Sequence, residues 1–333
     1  FGARRRLQRW NAHTADLRRR KESKVFMKAT TPKKRRPPAE HRRKPQTLRE
    51  RKRALGWAFL APSLIGVAAF FVLPFAVVVY YSMVDNPIQH NFVWLRNFTA
   101  VLHNNAFQNA AKNTAVFSLI AVPLAVVLAL LLALLLEAKI PFRSQFRTFF
   151  LSPMMVPTAS IVLIWQVLFH ANGVVNQLTS AFGAQALDWL KSDYSQVVVL
   201  TLFLWKNLGY NMILFMAALG NVPKELLETS TLDGAGSFTQ FWRIKMHYIS
   251  PSILFVTILS LINSFKIFRE VYLLTGDYPY GNLYLLQHFM NNTFRSLDYQ
   301  KLSAAAILMS LVMVVIIGAL FVAENHFGKD VEE

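Results

Sequence analysis

A small set of polar side chains interrupts two long apolar stretches, and these side chains are where the sequence could contact a solute. The stretch 197–219 carries four of them and the stretch 252–274 carries three: Lys206, Asn207, Tyr210, Asn211, Ser260, Asn263 and Ser264. Polar groups inside apolar spans are costly, so they are the default candidates for a functional site. Amides and hydroxyls beside an aromatic ring suit a sugar, which has hydrogen-bonding groups around its rim and a flat apolar face. The alternative for each residue is structural, a hydrogen bond between neighbouring helices.

The segment 221–250 has a second pattern, typical of two short helices joined by a sharp turn. Pro223 suits the first turn of a helix, and we predict that helix over 224–233. The run Gly234-Ala235-Gly236 then ends it, because glycine tolerates the left-handed backbone conformation of a sharp turn. Ser237 followed by Gln240 has the spacing of a capping box, which predicts that a second helix starts there.

The second predicted helix carries Phe238 and Phe241, and exposed aromatic side chains need a protein partner to cover them. Glu228 and Asp233 are the candidates for polar contacts with that partner, while Gly234 supplies the turn. Two alternatives stay open. The Asp233 side chain could instead bond to its own backbone, and the whole segment could be a structural elbow.

The sequence gives no support for catalysis by this chain. It contains no cysteine, and its eight histidines are scattered. Neither His-Glu-x-x-His nor the phosphate-binding Gly-x-x-x-x-Gly-Lys-Ser/Thr occurs. We therefore expect no catalytic residue, no metal site and no bound cofactor in this chain.

The candidate residues are positioned by segments long enough to cross a bilayer, since about 20 apolar residues span a hydrocarbon core of roughly 30 Å. We predict an all-α integral membrane protein whose membrane domain covers 54–325. It has six transmembrane helices at about 57–82, 113–136, 148–169, 197–219, 252–274 and 302–323.

Lys206 is the most deeply placed charge in these spans. It lies about ten residues from the outer end of its span, roughly 15 Å at ~1.5 Å per residue. A charge there costs about 2.5 kcal/mol or more unless it reaches water or a partner. With no acid near it in the sequence, we expect Lys206 to face an aqueous pathway or another subunit. Lys266 and Arg269 lie near the outer end of their span and are expected to reach the interface.

Charge is concentrated at the N-terminus. Residues 1–53 hold 21 of the 36 Lys and Arg but only four of the 18 Asp and Glu, which predicts a disordered basic tail. No aromatic-interleaved surface accompanies the tail, so nucleic acid is not an expected partner. Basic residues beside a first span stay in the cytoplasm. Six spans then place both termini, the tail 326–333 and the segment 221–250 on the cytoplasmic side.

The segment 221–250 also resembles a known family motif. Glu228-Thr229-Ser230, Asp233-Gly234-Ala235, Phe241, Ile244 and Pro251 look like the "EAA" coupling loop of binding-protein-dependent ABC importer permeases. Residues 223–226 fit the carbohydrate branch, of the maltose and multiple-sugar type, and the similarity covers about 55–325. The sequence departs from the motif at Thr229 and Ser230, where the family has alanines, and at Met246-His247, where it has Leu-Pro.

The resemblance implies a type I ABC importer permease fold, with both termini cytoplasmic, in a bacterial cytoplasmic (inner) membrane. The implied partners are a second permease subunit in a heterodimer, two ATPase subunits that bind ATP and magnesium, and an extracellular or periplasmic solute-binding protein. The implied function is import of a sugar or oligosaccharide. In the maltose-type permease, Tyr210, Asn263 and Ser264 fall where sugar-lining residues lie.

Three alternatives remain at this point. A permease of the same family could carry a non-sugar solute such as glycerol phosphate. A secondary transporter would need an ion-coupling acid, and the span interiors offer only Glu270, near an end of the fifth span. A non-transporting membrane scaffold would leave the glycine and capping pattern of 221–250 unexplained.

Overall fold

The computed structural model of the chain describes residues 48–86, 88–137 and 141–327. The predicted tails 1–53 and 326–333 lie outside these ranges, except for 48–53, which begin a helix, and 326–327, which end one. The chain divides into two compact units between Val67 and Ala68. The first unit contributes the helix Leu48–Val67 to the description.

The regular secondary structure of the described residues is helical, and turns or irregular segments connect the helices; one isolated β-bridge joins Val84 and Phe92. The α-helices of the second unit are Leu73–Ser82, Arg96–Leu102, Asn105–Glu137, Arg143–Met155, Thr158–Leu168, Val174–Ala181, Ser195–Gly220, Lys224–Leu232, Ser237–Gln240, Met246–Tyr248, Ser250–Lys266, Phe268–Thr275, Leu286–Arg295 and Tyr299–Phe327. Short π-helices cover Ala68–Val72 and Phe241–Lys245.

Five stretches are long and apolar enough to cross a membrane, and a bent helix pair supplies a sixth candidate. We name them span 1 (Leu55–Ser82), span 2 (Asn105–Glu137), span 3 (Arg143–Met155 with Thr158–Leu168), span 4 (Ser195–Gly220), span 5 (Ser250–Thr275) and span 6 (Tyr299–Asn325).

Span 3 differs from the single helix predicted over 148–169. The helix axis bends by 100° between its two arms. The break follows from Pro157, whose ring pushes the preceding Val156 into an extended conformation (φ −82°, ψ 132°) and ends the first arm at Met155. The sequence contained a signal for this bend in Pro153 and Pro157, two prolines within five residues. The prediction of a single helix relied on hydropathy and did not take them into account.

Span 2 forms the centre of the second unit. Its interior face carries small, fully buried residues one helical turn apart: Ala121, Ala125, Ala129 and Ala133. Small side chains allow helices in membranes to approach closely. Phe117 of span 2 packs edge-on against Phe203 of span 4 at 5.7 Å between ring centres, within a cluster that also includes Val271 of span 5.

Span 4 also crosses the first arm of span 3 in direct backbone contact. A Cβ atom built on Gly209 would overlap the carbonyl group of Phe150. Glycine at this position therefore sets the distance between the two helices.

Candidate functional site

The segment between spans 4 and 5 folds as two short helices joined by a sharp turn. We call 221–249 the coupling loop. Its first helix is Lys224–Leu232, with Pro223 in front of it, as predicted. Gly234 has φ +81°. The Gly234 N–H donates to the Thr231 carbonyl at 3.0 Å and the Ala235 N–H to the Ser230 carbonyl at 2.9 Å. This pair of bonds is a Schellman motif, which requires a left-handed residue at the position of Gly234.

The predicted capping box is wrong. The second helix begins at Ser237, but its N-cap is Gly236 and no side chain caps it. Gln240 instead reaches back to the first helix, and its Nε2 donates to the Leu227 carbonyl at 3.1 Å and to Thr231 Oγ1 at 2.8 Å. The side chain gains more partners there than at its own helix start, and these bonds hold the two helices together.

The coupling loop exposes large apolar side chains. Phe238 is 77% exposed, Trp242 54% and Leu232 88%. Phe241 is half-buried, with its ring 5.3 Å from that of Trp242. Of the two predicted apolar contact residues, Phe238 is therefore exposed and Phe241 is half-buried. Leu232 and Trp242, which were not predicted, are exposed as well.

The charged candidates of the loop are also exposed. Glu228 and Asp233 lie on its surface, and the described residues give neither carboxylate a hydrogen-bond partner. The local alternative for Asp233, a bond from its side chain to its own backbone, is therefore not observed.

The loop is anchored to the ends of the spans by an apolar cluster and an ion pair. Ile249 belongs to the same buried cluster as Leu136 of span 2 and Leu219 of span 4, and Leu227 and Ile244 pack against this cluster. Beside them, Lys245 Nζ donates to both carboxylate oxygens of Glu137, each at 2.9 Å. No motif in the sequence predicts this pair, because its members are 108 residues apart.

Within the spans, most of the seven polar candidates bond to one another. Asn263 Nδ2 donates to Asn207 Oδ1 at 2.9 Å, and Asn211 Nδ2 donates to Ser260 Oγ at 2.9 Å. Both pairs join span 4 to span 5. Ser264 Oγ lies 2.8 Å from Ser118 Oγ of span 2. We call these residues, together with Tyr210, Lys206 and the two partners of Lys206, the polar layer.

Burial separates the candidates into two groups. Asn211, Ser260 and Ser264 are at most 1% exposed, so in this conformation they join helices and offer no surface to a solute. Asn207, Tyr210 and Asn263 are half-buried, and Tyr210 makes no hydrogen bond within the described residues. These three retain surface that a solute could contact.

Lys206 does not stand alone, contrary to the expectation that no acid lies near it. Its Nζ bonds to Glu270 Oε1 and lies 3.3 Å from Thr158 Oγ1 at the bend of span 3. Glu270 is 4% exposed. A lone cation in span 4 and a lone acid in span 5 each cost free energy in a membrane, so pairing relieves both. The presence of one charge of each sign in two apolar spans was therefore a signal in the sequence for this pair.

The far end of span 2 is tied to the segment that follows span 5. Asn113 Nδ2 donates to the carbonyl of Gly281 at 2.7 Å and to that of Tyr284 at 3.1 Å. Thr114 Oγ1 accepts from the Leu286 N–H at 2.8 Å. Span 2 therefore carries polar contacts at both of its ends.

His288 is a buried titratable group next to this junction. Its Nδ1 accepts from the Leu285 N–H at 3.1 Å, its Nε2 has no partner within the described residues, and its ring packs against Phe268 at 4.7 Å. Burial lowers the pKa of His288 from 6.5 to about 4, although the charge of Asp277 opposes the shift.

Permease proteins of solute transport systems are among the relatives of the chain in sequence. The sn-glycerol-3-phosphate transport system permease protein UgpA of Salmonella choleraesuis is 26% identical over 275 residues, covering 80% of this chain and 92% of the relative. The trehalose/maltose transport system permease protein MalF of Thermococcus litoralis is 28% identical over 288 residues, covering 85% of this chain and 97% of the relative.

A solved structure shows the same fold. It is the bacterial alginate ABC transporter in complex with an alginate pentasaccharide-bound periplasmic protein. One of its chains superposes with a TM-score of 0.71 at 20% identity, covering 84% of this chain and 96% of the other. Residues 121–332 match the family model described as binding-protein-dependent transport system inner membrane component. The chain belongs to this family, as the coupling loop between spans 4 and 5 indicated.

Proposed function

We propose that the chain is one of two translocation subunits of an ABC importer for a sugar or oligosaccharide. The solute is delivered by an extracellular or periplasmic solute-binding protein. The energy comes from ATP and magnesium bound to two partner ATPase subunits. This chain binds no cofactor of its own, and the second translocation subunit is a different chain.

The observation that carries this proposal is the exposed apolar surface of the coupling loop. Phe238, Trp242 and Leu232 stand on two helices whose mutual angle is fixed by Gly234 and by Gln240. Exposed aromatic side chains on a rigid unit favour a protein socket. In the proposed mechanism, closure of the ATPases moves the socket, and the loop moves the spans as rigid bodies.

The orientation belongs to the same proposal. The coupling loop and both termini lie in the cytoplasm, because the basic tail next to span 1 would be retained there. The cysteine-free sequence allows a direct check with Ser237→Cys. An impermeant maleimide should label it only after the membrane is opened, and labelling in intact cells would refute the orientation.

The solute contacts are assigned to Asn207, Tyr210 and Asn263. Their half-buried amides and phenol ring offer hydrogen bonds and an aromatic face, which is the combination that a sugar needs. The trehalose/maltose permease relative and the alginate transporter structure support a sugar as the solute class.

A phosphorylated solute is the second candidate, favoured by the sn-glycerol-3-phosphate permease relative. A phosphate needs a cation, and Lys206 is already neutralised by Glu270. In span 5, the exposed Lys266 and Arg269 are cations that such a solute could contact.

The test is uptake by proteoliposomes that contain the complete complex, its binding protein outside and ATP inside. Labelled trehalose, maltose, a maltooligosaccharide and glycerol 3-phosphate are compared, with the non-hydrolysed analogue AMP-PNP as the control. ATP-dependent uptake of a sugar supports the proposal. Uptake of glycerol 3-phosphate alone selects the second candidate, and uptake that follows an ion gradient without ATP overturns both.

A further inference from the structure

The ion pair between Glu137 and Lys245 joins the coupling loop to a span that is not its neighbour in sequence. The chain runs directly from span 4 into the loop and from the loop into span 5. Motion of the loop therefore reaches spans 4 and 5 through covalent bonds. Span 2 ends at Glu137, and it meets the loop only through space.

The two kinds of contact at this junction have different mechanical properties. The apolar cluster around Leu136 and Ile249 is non-directional, and such surfaces can slide. The carboxylate of Glu137 receives two bonds of 2.9 Å from one ammonium group, with the Lys245 and Glu137 side chains 20% and 35% exposed. A charge-assisted contact of this kind resists separation of the two charged groups, so it limits the distance between Glu137 and Lys245.

Span 2 can carry a displacement to its other end. It is one α-helix of 33 residues, uninterrupted at Pro123. The distance along the axis from Glu137 to Asn113 is about 36 Å at ~1.5 Å per residue. At that far end, Asn113 and Thr114 hold the backbone of 281–286 by three hydrogen bonds. Each end of the helix is thus clamped to a different segment of the chain.

We propose that span 2 is a rigid strut that couples the coupling loop to the segment 281–286, and that Glu137 and Lys245 are its positioning residues. The inference rests on the proposed function in one respect, that the loop moves when partner subunits bind ATP. It adds that the response at the opposite end passes through this ion pair. Glu137 and Lys245 contact no solute in this account.

The test uses a spin label at Lys112→Cys, an exposed position beside Asn113, in an otherwise cysteine-free complex with its partner subunits. The spectrum is recorded without nucleotide and after trapping with ATP and vanadate. Glu137→Lys and Lys245→Glu are examined singly and together. Each single reversal should reduce the nucleotide-induced change at least about fivefold, and the exchanged pair should restore it.

A matched control is available in the exposed ion pair Asp188–Lys191, at 3.7 Å, where the same exchange should have no effect. If a reversal lowers the amount of assembled complex, Glu137→Gln and Lys245→Gln remove the charge without repulsion and should give the same loss. A full response in both single variants, or no response to ATP and vanadate in the wild type, overturns the strut.

This readout needs no knowledge of the solute. One outcome is a complex that takes up no sugar but whose nucleotide-induced spectral change is lost in the single reversals and restored in the exchanged pair. That outcome would refute the proposed solute and keep the strut. A complex that takes up sugar normally in both single reversals would keep the proposed function and refute the strut.

Discussion

The coupling loop and the polar layer differ in whether their polar and aromatic side chains are exposed or paired within the chain. The loop leaves Glu228, Asp233 and Phe238 uncovered, whereas the polar layer joins the buried Asn211 to Ser260 and Ser264 to Ser118 within the chain. Surface that a chain leaves exposed on a rigid unit is available to another subunit. Buried polar groups must find partners where they are. The loop therefore presents surface that another subunit could cover, whereas the buried pairs hold the spans together.

The largest predicted effect comes from breaking the buried ion pair between Lys206 and Glu270. Glu270→Gln should leave the Lys206 ammonium without its counter-charge, at a cost of about 3 kcal/mol, the low end for a broken buried pair because Lys206 retains 23% exposure. The thermal stability of the complex in detergent measures this cost. The double variant Lys206→Met with Glu270→Leu should recover most of the stability. Equal losses in the single and double variants would contradict a paired role.

A pH dependence tests His288, a buried titratable group whose Nε2 has no hydrogen-bond partner among the described residues. Burial lowers the pKa of His288 from 6.5 to about 4. Between these two pH values, His288 is therefore protonated in the unfolded state and neutral in the folded state. Stability is then complete above about pH 6.5 and falls toward pH 4, by roughly 2 kcal/mol between pH 7 and pH 5.

The measurement is the unfolding temperature of the purified complex at the two pH values, with His288→Gln beside the wild type. The variant should lose most of the difference between pH 7 and pH 5. A variant with the same pH dependence as the wild type would assign it to other groups.

The backbone contact between spans 3 and 4 gives a sharper steric test. Gly209→Ala puts a methyl group against the Phe150 carbonyl, and forcing the helices apart should cost about 1–3 kcal/mol. Gly220→Ala is the control on the same helix, since a Cβ there meets nothing within 4 Å. Membrane levels and thermal stability should fall for the first substitution only. Equal behaviour of the two would mean that the helices do not cross this closely.

Local chemistry explains why the coupling loop could be anticipated from sequence. Pro223 and Gly234 act on the residues next to them, so their effects could be read directly from their positions. The Lys206–Glu270 and Glu137–Lys245 pairs join residues 64 and 108 positions apart, and only the packing of the spans brings them together. Gln240 shows the limit even at short range, because its capping spacing was present but better partners lay in the preceding helix.

The smallest predicted effect sharpens the division within the polar layer. Replacing the buried pair by Asn211→Leu with Ser260→Ala should change stability by only about 0.6 kcal/mol and leave the KM for uptake unchanged. Asn263→Leu or Tyr210→Phe, at half-exposed positions, should raise that KM. Solute uptake by proteoliposomes over a concentration series measures both. A raised KM for the buried pair alone would reverse the assignment of the two groups.

The most direct test of the coupling role is the turn at Gly234. Its left-handed backbone strains a β-branched residue by about 1–3 kcal/mol, while open space around it removes any steric clash of the side chain. Gly234→Val and Gly234→Asn are compared in the reconstituted complex, because asparagine tolerates this conformation. We predict normal membrane levels for both, with uptake and binding-protein-stimulated ATP hydrolysis lost in Gly234→Val and retained in Gly234→Asn. Wild-type uptake by Gly234→Val would show that the loop is only an elbow.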